Sequence, residues 1–320
     1  MGDVTGISWC DHTWSPWYGC TKVSPGCKLC YAEARSRRFK TPAATGTWGP
    51  DGVRSINADW DKPLRWDRAA AKAGVRRRVF PSLCDWLEDR DDLVEPRARF
   101  LDLIQQTPNL DWLLLTKRPE YFLIRMYQVL EHLDRQEPKP PGYWNVATWL
   151  EAGWAPANVW YGVSVEDQER ADQRIPALLE TPAALRWVSY EPALGPVDFA
   201  QWLEPATVFG PGPDDPGFTV PAVDWIVVGG ESDQGGEKAR PFDVDWARQT
   251  VRAGRAAEVP IFVKQLGSNP RPWTWWDEST TPYVERVVRD KKGGVPAEWP
   301  PELRVQDFPK RKEAADAQPA

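Results

Sequence analysis

Several features that often indicate the function of a protein are scarce in this chain. It contains two histidines, two methionines and five cysteines among 320 residues. No run of 18 or more apolar residues is present, which excludes a uniformly apolar helix that crosses a bilayer. The amino terminus, MGDVTGISWC, lacks the basic-then-apolar order of a secretory signal. We therefore expect a cytoplasmic protein that does not associate with a membrane.

Positive charge is not in excess either. The chain has 40 lysines and arginines against 46 aspartates and glutamates, which gives a net charge of −6. This balance provides no global attraction to phosphate, so nonspecific binding of duplex DNA is not expected. Two short basic runs, at residues 35–40 and 76–78, are each either a phosphate-facing surface or a solvated helix face. The solvated face is the interpretation that we favour.

Three of the five cysteines lie within eleven residues, in the segment CTKVSPGCKLC, as Cys20, Cys27 and Cys30. An odd number of cysteines with this clustering fits metal or redox chemistry better than an extracellular disulfide framework. Cys10 and Cys84 stand apart from the cluster. We interpret both as ordinary buried cysteines.

Short apolar runs alternate with helical segments along the chain, which is the pattern of parallel strands joined by crossover helices. Strands are predicted at residues 78–83, 112–116, 159–165, 185–190, 225–228 and 261–263, with weaker candidates at 6–9 and 53–56. Helices are predicted at residues 32–39, 96–106, 119–133, 168–179 and 244–253. The predicted fold is therefore α/β, a full or partial TIM-like (β/α) barrel.

The remaining segments complete a prediction of the domain organisation. Residues 134–157 and 205–221 are rich in proline, glycine and charge, and we predict loop insertions there. The polar residues 305–320 are predicted to form a disordered tail. Residues 1–304 then make a single barrel domain.

Polar side chains follow six successive predicted strands. They are Asp85, Lys117, Arg118, Glu166, Glu191, Glu231, Lys264 and Gln265. Active sites of barrel enzymes lie at the carboxyl ends of the strands, so these side chains are expected to converge on one polar pocket. The alternative is that each strand simply ends where a polar loop begins.

The three clustered cysteines form the sharpest local motif. Two cysteines separated by two residues can direct both sulfurs at one metal centre, and Gly26 gives the loop the freedom to bring in Cys20. Three thiolates leave one coordination position open, which a cubane iron–sulfur cluster offers to an outside ligand. A structural zinc ion would instead require a fourth protein ligand, for which His12 or Cys10 is close in sequence. Both readings remain open, and we favour the cluster.

The chain resembles a known family in several segments. They are WSPWYGCTKVSPGCKLCYAE, VFPSLCDWL, LLLTKRPE, NVWYGVSVEDQERADQRIPALL, RWVSYEPALGPVDF, DWIVVGGES and IFVKQLG. These segments, over about residues 7–267, resemble the phage-associated three-cysteine-motif family, a group of unknown function found in phages and bacteria. That family in turn resembles the radical S-adenosylmethionine enzymes, which implies a barrel of the radical S-adenosylmethionine type.

The resemblance implies a cofactor set. Cys20, Cys27 and Cys30 match the cysteines that bind a [4Fe–4S] cluster, whose open iron chelates the methionine part of S-adenosylmethionine. Reductive cleavage of that cofactor yields a 5′-deoxyadenosyl radical, so an electron donor is expected as a partner, and a partner protein is also considered. The sequence Gly229-Gly230-Glu231 resembles the motif that holds the methionine amino group.

Other roles follow from the chemistry of the side chains. Glu191 or Glu231 is expected to pair with the amino group of S-adenosylmethionine, while Lys117, Arg118 or Lys264 holds a carboxylate or phosphate. The candidate catalytic residues are Glu191, Lys117 and Lys264. The candidate cofactor-binding residues are Tyr31, Glu166, Glu191, Gly229, Gly230 and Glu231. The alternative for each charged side chain is a structural ion pair inside the rim.

Three functions follow from these observations. The first is a radical S-adenosylmethionine enzyme that modifies or repairs nucleic acid or a nucleotide, a substrate class implied by the resemblance. The second is a zinc-stabilised nucleic-acid-binding module. The third is a barrel hydrolase or lyase that uses the carboxylates of Glu191 and Glu231, in which the cysteines are structural.

Overall fold

Seven parallel strands form the central sheet of the protein, which curls into an open half-barrel. The computed structural model describes residues 5–38, 46–208, 218–273 and 288–311. In chain order the strands are β1 (His12–Thr13), β2 (Trp17–Tyr18), β3 (Ser55–Ile56), β4 (Arg77–Phe80), β5 (Leu110–Thr116), β6 (Val159–Ser164), β7 (Leu185–Tyr190), β8 (Ala206–Val208), β9 (Phe218–Val220), β10 (Trp225–Gly229) and β11 (Ile261–Gln265). The half-barrel has the strand order β1-β4-β5-β6-β7-β10-β11, and the short pairs β2-β3 and β8-β9 are antiparallel.

The described residues include seven helices. They are α1 (Tyr31–Arg38), α2 (Asp61–Ala73), α3 (Val94–Gln106), α4 (Phe122–Asp134), α5 (Pro141–Glu151), α6 (Gln168–Glu180) and α7 (Val244–Ala256). Helices α2, α6 and α7 pack on strands of the half-barrel, and α3, α4 and α5 pack on one another. The middle strands of the sheet are buried on both faces, which explains why they appear in the sequence as continuous apolar runs. In the described residues no helix is both long and apolar enough to span a membrane.

Tryptophan rings fill the inner face of the half-barrel. Trp9, Trp160, Trp187 and Trp225 belong to one buried cluster that contains no helical residue. The ring centroids of Trp9 and Trp187 lie 5.3 Å apart, and those of Trp187 and Trp225 lie 5.5 Å apart. Because the half-barrel is open, these large rings fill its interior, and they pack through offset and edge-to-face contacts.

The last described segment covers the amino-terminal end of the sheet. Gln306 pairs with Phe262 of the edge strand β11, and the Trp225 indole donates to the carbonyl of Asp307 at 2.9 Å. The ring of Phe308 lies 5.6 Å from that of Trp225, and the Arg78 guanidinium stacks on it at 3.8 Å. Residues 305–308 therefore differ from the disordered tail that we expected, because they bury apolar surface and protect a sheet edge. Residues 312–320 lie outside the described residues.

The six main predicted strands are all present in the half-barrel. The six main predicted strands correspond to β4, β5, β6, β7, β10 and β11, although β4 ends at Phe80. Residues 6–9 do not form a strand, and the prediction at 53–56 corresponds to β3, which lies outside the half-barrel. The predicted insertion 134–157 contains α5, and the one at 205–221 contains β8 and β9. The structure confirms the prediction of an α/β fold with a partial barrel.

Candidate functional site

A cavity of about 370 Å³ opens at the carboxyl ends of the strands. Its floor is apolar and includes Trp9, Phe80 and Leu115, while its rim is polar. The rim residues at successive strand ends are Thr116, Lys117, Arg118, Ser164, Ser189, Glu191, Gly230, Glu231, Lys264 and Gln265. The volume lies within the range of pockets that hold small organic ligands and cofactors. The predicted convergence of strand ends on one pocket is observed.

Residues 20–30, which we call the cysteine loop, supply three thiols to this cavity. The loop follows β2 and leads into α1, and Cys20, Cys27 and Cys30 all line the cavity wall. Backbone N–H groups at the start of α1 donate to the Cys30 sulfur, a position where a helix stabilises negative charge. Burial raises the pKa of the Cys20 and Cys30 thiols, so a metal must displace their protons when it binds.

Two kinds of metal centre differ in how close together their cysteine ligands must lie. In the described part of the chain, no three His, Cys, Asp or Glu side chains lie close enough to hold a single metal ion. Ligands of one zinc ion must crowd around a common centre, whereas cysteines that hold a cubane cluster bind separate irons and therefore lie farther apart. The three thiols line one cavity but do not converge on a single point, as the ligands of one zinc ion must.

Neither residue that we considered as a fourth zinc ligand lies on the cavity wall. The His12 ring stacks on Trp66 with centroids 4.2 Å apart. Cys10 is buried among the inner aromatic rings, where burial raises its pKa to about 12. Cys84, which we interpreted as structural, does line the cavity, and its charge would act on Cys20. A four-thiolate zinc site would therefore use Cys84 instead of His12 or Cys10.

Glu166 anchors the cysteine loop from behind. The Ser24 hydroxyl donates to its Oε1 at 2.7 Å, and Oε1 also accepts from the ammonium of Lys117 at 2.5 Å. The guanidinium of Arg174 lies 3.0 Å from Oε2, and the Glu166 side chain is fully buried. Glu166 does not line the cavity, where we expected it to bind the cofactor, and its position fits a role in holding the loop.

The pKa of Glu166 reflects this surrounding. Burial alone would raise the pKa of the carboxyl group, but the cations of Lys117 and Arg174 outweigh it and leave the pKa below its usual value. Glu166 is thus ionised whenever the protein is near neutral pH.

Gly26 allows the cysteine loop to lie directly on Glu166. A Cβ atom at Gly26 would lie 2.3 Å from Glu166 Oε1, which is too close for any side chain. We expect Gly26→Ala to destabilise the protein by about 1–3 kcal/mol and to lower its metal content, because the loop must move outward. Gly6→Ala is the matched control, since Gly6 also lines the cavity but a Cβ there meets nothing within 4 Å. Urea denaturation and metal analysis of the two variants test this, and equal effects would contradict it.

A buried ion pair fixes the chain next to Cys20. The side chains of Arg54 and Glu88 are 1% and 2% exposed, and Arg54 Nε donates to Glu88 Oε2 at 2.8 Å. Glu88 Oε1 accepts from the backbone N–H of Thr21 at 2.9 Å, and Arg54 Nη2 donates to the Thr21 hydroxyl at 2.8 Å. Sequence reasoning missed both residues, because neither follows a predicted strand or belongs to a motif.

Arg118 joins the rim to the same stretch of the loop. Its Nη1 donates to Asp85 Oδ2 at 2.8 Å and lies 3.5 Å from the Cys20 sulfur, while its Nη2 donates to the carbonyl of Thr21. The side chain is 4% exposed. Arg118, which we considered as a holder of a substrate carboxylate or phosphate, is therefore bound to the cysteine loop.

The Gly229-Gly230-Glu231 segment is also engaged within the protein. Both carboxylate oxygens of Glu231 bind the guanidinium of Arg240, whose Nη1 also donates to the carbonyl of Pro25 at 2.8 Å. Gly230 donates its N–H to the Gln265 carbonyl and accepts from the Gln265 side chain. Gly229 does not line the cavity, while Gly230 and Glu231 do. The segment thus connects the strand end to the cysteine loop through Arg240.

Glu191 and Lys264 form an ion pair that is open to the cavity. Lys264 Nζ lies 2.7 Å from Glu191 Oε1, and the side chains are 24% and 12% exposed. Ser164 and Ser189 hold the main chain and side chain of Glu191 at 3.2 and 3.4 Å. Lys117 is a further cation on this wall, with its side chain 20% exposed.

Two indole groups complete the wall with unused donors. Trp9 and Trp48 both line the cavity, and their buried Nε1 atoms have no hydrogen-bond acceptor among the described residues. A buried donor without a partner costs free energy, so an acceptor on a bound ligand would stabilise both groups. Sequence alone could not separate these two tryptophans from the other eighteen.

Of the predicted site residues, most meet on one wall. Those that line the cavity are Cys20, Cys27, Cys30, Tyr31, Lys117, Glu191, Gly230, Glu231 and Lys264. Glu166 and Gly229 lie behind it. Tyr31 is 43% exposed at the mouth, and its hydroxyl donates to the carbonyl of Ser82 at 2.7 Å.

Comparison with known proteins gives one finding. The model of a family described as "Protein of unknown function (DUF5131)" matches residues 4–295. No curated protein and no protein of known structure gives a significant match to the chain.

Proposed function

Because the chain belongs to the DUF5131 family, whose function is unknown, we propose from the cavity itself that the protein is an iron–sulfur enzyme of the radical S-adenosylmethionine type. The observation that carries this proposal is the placement of three thiols from one loop on the wall of a single cofactor-sized cavity. A [4Fe–4S] cluster on Cys20, Cys27 and Cys30 would supply an electron and one open iron, which together allow reductive cleavage of S-adenosylmethionine to a 5′-deoxyadenosyl radical.

The Glu191–Lys264 pair is suited to the amino-acid end of S-adenosylmethionine. That end carries an amino group and a carboxylate on the same carbon atom. In our proposal Glu191 accepts from the N–H of the amino group, and Lys264 donates to the carboxylate with help from Lys117. The two protein charges neutralise each other without ligand, so neither is left unpaired in the free enzyme.

The other wall residues position the nucleoside part and exclude water. The ring of Tyr31 stands at the mouth with its hydroxyl fixed, so it offers a flat face to the adenine. The free N–H groups of Trp9 and Trp48 offer donors to ring nitrogens or ribose oxygens. The apolar floor keeps water away from a reactive carbon radical.

The two alternative functions have less support. A hydrolase based on Glu191 and Glu231 needs a free carboxylate as general base, but both oxygens of Glu231 bind Arg240. A zinc-stabilised module is favoured by one observation, the position of Cys84 on the same wall as the other three thiols. Metal analysis distinguishes zinc from the cluster directly.

The experiment that tests the proposal is anaerobic purification followed by iron, sulfide and zinc analysis. We expect about four irons and four sulfides per chain and a broad visible absorption band. The electron paramagnetic resonance spectrum of the dithionite-reduced protein should change on addition of S-adenosylmethionine, and 5′-deoxyadenosine should be released. Stoichiometric zinc without a visible band would overturn the proposal and favour the four-thiolate zinc site.

A further inference from the structure

A second cavity, of about 780 Å³, adjoins the first. The two cavities share Leu29, Cys30, Tyr31, Gln234 and Lys292 in their walls. We call the second cavity the basic groove, because its wall contains six cations against three carboxylates. The cations are Lys22, Lys28, Arg35, Arg37, Arg38 and Lys292, and the carboxylates are Glu33, Asp233 and Glu237. This local excess of positive charge contrasts with the net charge of −6 for the whole chain.

Two of the three carboxylates in the groove are already neutralised. Glu33 pairs with Lys22 at 3.1 Å and with Arg37. Asp233 pairs with Lys238 at 2.9 Å and accepts from a backbone N–H. Because Glu33 uses the groove cations Lys22 and Arg37, the six cations and three carboxylates of the wall leave an excess of three positive charges.

Lys28 and Lys292 are the cations best placed to meet such a ligand. Both are exposed, and neither forms an ion pair with a carboxylate of the described residues. Lys292 lines both cavities, and Lys28 lies between Cys27 and the shared residues Leu29 and Cys30. A polyanion bound to these ammonium groups would pass directly over the opening of the thiol-lined cavity.

We infer that the basic groove binds the phosphate backbone of a single-stranded nucleic acid and places one of its bases at the mouth of the thiol-lined cavity. The wall of the groove holds more cations than carboxylates, and Lys28 and Lys292 are both available to phosphates, so a ligand with several phosphates suits it. Tyr31 lines both cavities, so the adenine that we place on its ring would lie next to a base bound where the cavities meet. A base inside a duplex cannot reach a recessed cavity without leaving its stack, so a single strand is the expected substrate form.

This inference names the substrate class of the proposed enzyme, but binding to the groove does not depend on radical chemistry. Binding is measured by fluorescence anisotropy of a fluorescein-labelled, mixed-sequence DNA single strand with the anaerobically purified protein over a salt series. The same strand as an RNA, the matching duplex and unlabelled polyglutamate serve as comparison ligands. Release of 5′-deoxyadenosine is assayed separately, so failure of the radical proposal and failure of this inference give different results.

The test variant is Lys28→Gln with Lys292→Gln, and the matched control is Arg252→Gln with Arg255→Gln. The control removes two exposed positive charges from α7, on the outside of the sheet. We expect the test variant to bind the strand at least about tenfold more weakly and the slope of log K against log salt to fall by about 1.4. Each phosphate contact with a single strand contributes about 0.7 to that slope. The control should bind within about twofold of the unaltered protein.

Three outcomes would overturn the inference. The first is equal loss of binding in both variants, which would indicate nonspecific attraction. The second is equal affinity for the duplex, and the third is equally strong competition by polyglutamate, which would indicate a site for an acidic protein. Retention of the metal and of the thermal midpoint in the test variant excludes a folding defect, since both lysines are exposed.

Discussion

Replacing Cys20, Cys27 or Cys30 individually with alanine is expected to remove most of the bound iron and all S-adenosylmethionine cleavage. In the cluster that we propose, each thiolate would hold a different iron, so loss of one would leave an iron without its protein ligand and the cluster open to solvent. All three cysteines are partly exposed and line the cavity, and an alanine side chain has no atom that can bind iron. Iron and sulfide analysis, the visible spectrum and release of 5′-deoxyadenosine measure the effect.

The two remaining cysteines provide the controls for this experiment. Cys84→Ala removes a thiol from the same wall, and Cys10→Ala removes one from the inner aromatic cluster. Both variants are expected to retain iron and the spectral response to S-adenosylmethionine. Loss of the metal in Cys84→Ala would contradict a cluster with one open iron, because it would make Cys84 a fourth ligand.

Glu166→Gln is expected to destabilise the protein by about 3–5 kcal/mol at neutral pH. The change leaves the cations of Lys117 and Arg174 without their common counter-ion. The free-energy cost of these unpaired charges exceeds the stabilisation that the ion pairs provide. It also removes the charge that holds Ser24, so iron content should fall as well. Urea denaturation followed by tryptophan fluorescence gives the free energy of unfolding.

The pH dependence of this difference provides a second test. The pKa of Glu166 is lower in the folded protein than in the unfolded chain, where it is about 4.3. Its contribution to stability is therefore complete above that value and is lost as the pH falls through the folded pKa. The gap in unfolding free energy between the unaltered protein and Glu166→Gln should be full at pH 7 and narrow in acid.

Glu169→Gln is the matched control for this variant. Glu169 lies on α6, as does Arg174, but its side chain is 63% exposed, and it pairs with Arg170 and accepts from Gln173 in the same helix. Surface pairs of this kind contribute little, so we expect a change within about 0.5 kcal/mol. A similar loss in both variants would show that Glu166 has no special role as an anchor.

The parts of the site that follow from local chain patterns could be predicted from the sequence. Strand ends carry their polar residues to one edge of a parallel sheet by geometry, so Lys117, Glu191 and Lys264 were expected together and are found together. The cysteine spacing also predicted that the three thiols would share one site, and all three line the cavity although they do not converge on a single point. In both cases the relevant neighbours are either close in sequence or fixed by the sheet.

The anchoring contacts could not be predicted, because they join positions that share no local pattern. Glu166 binds Ser24 across 142 positions, and Arg240 binds the carbonyl of Pro25 across 215. From the sequence, Glu166 was predicted to bind a ligand and Arg240 was given no role. A charged residue at a strand end gives the same sequence pattern whether its side chain faces a cavity or a loop. Only the packed structure decides between these two cases.

Two errors in the fold have a similar origin. Residues 134–157 were predicted as a loop because of their prolines, yet α5 begins at Pro141, where proline is well tolerated in the first helical turn. Residues 305–308 were predicted as disordered because they are polar, but the Phe308 ring packs against the rings of Trp225 and Phe262. A short apolar contact that forms late in the chain leaves no periodic signal.

The anchoring of the cysteine loop has a consequence for folding during synthesis on the ribosome. The loop is synthesised first, but Arg240, one of its anchors, follows Cys30 by 210 residues. At about 5–20 residues per second, the nascent chain carries the loop for about 10–40 s before that anchor exists, although the anchors Glu88, Arg118 and Glu166 are made earlier. The loop therefore reaches its final set of contacts only late in translation.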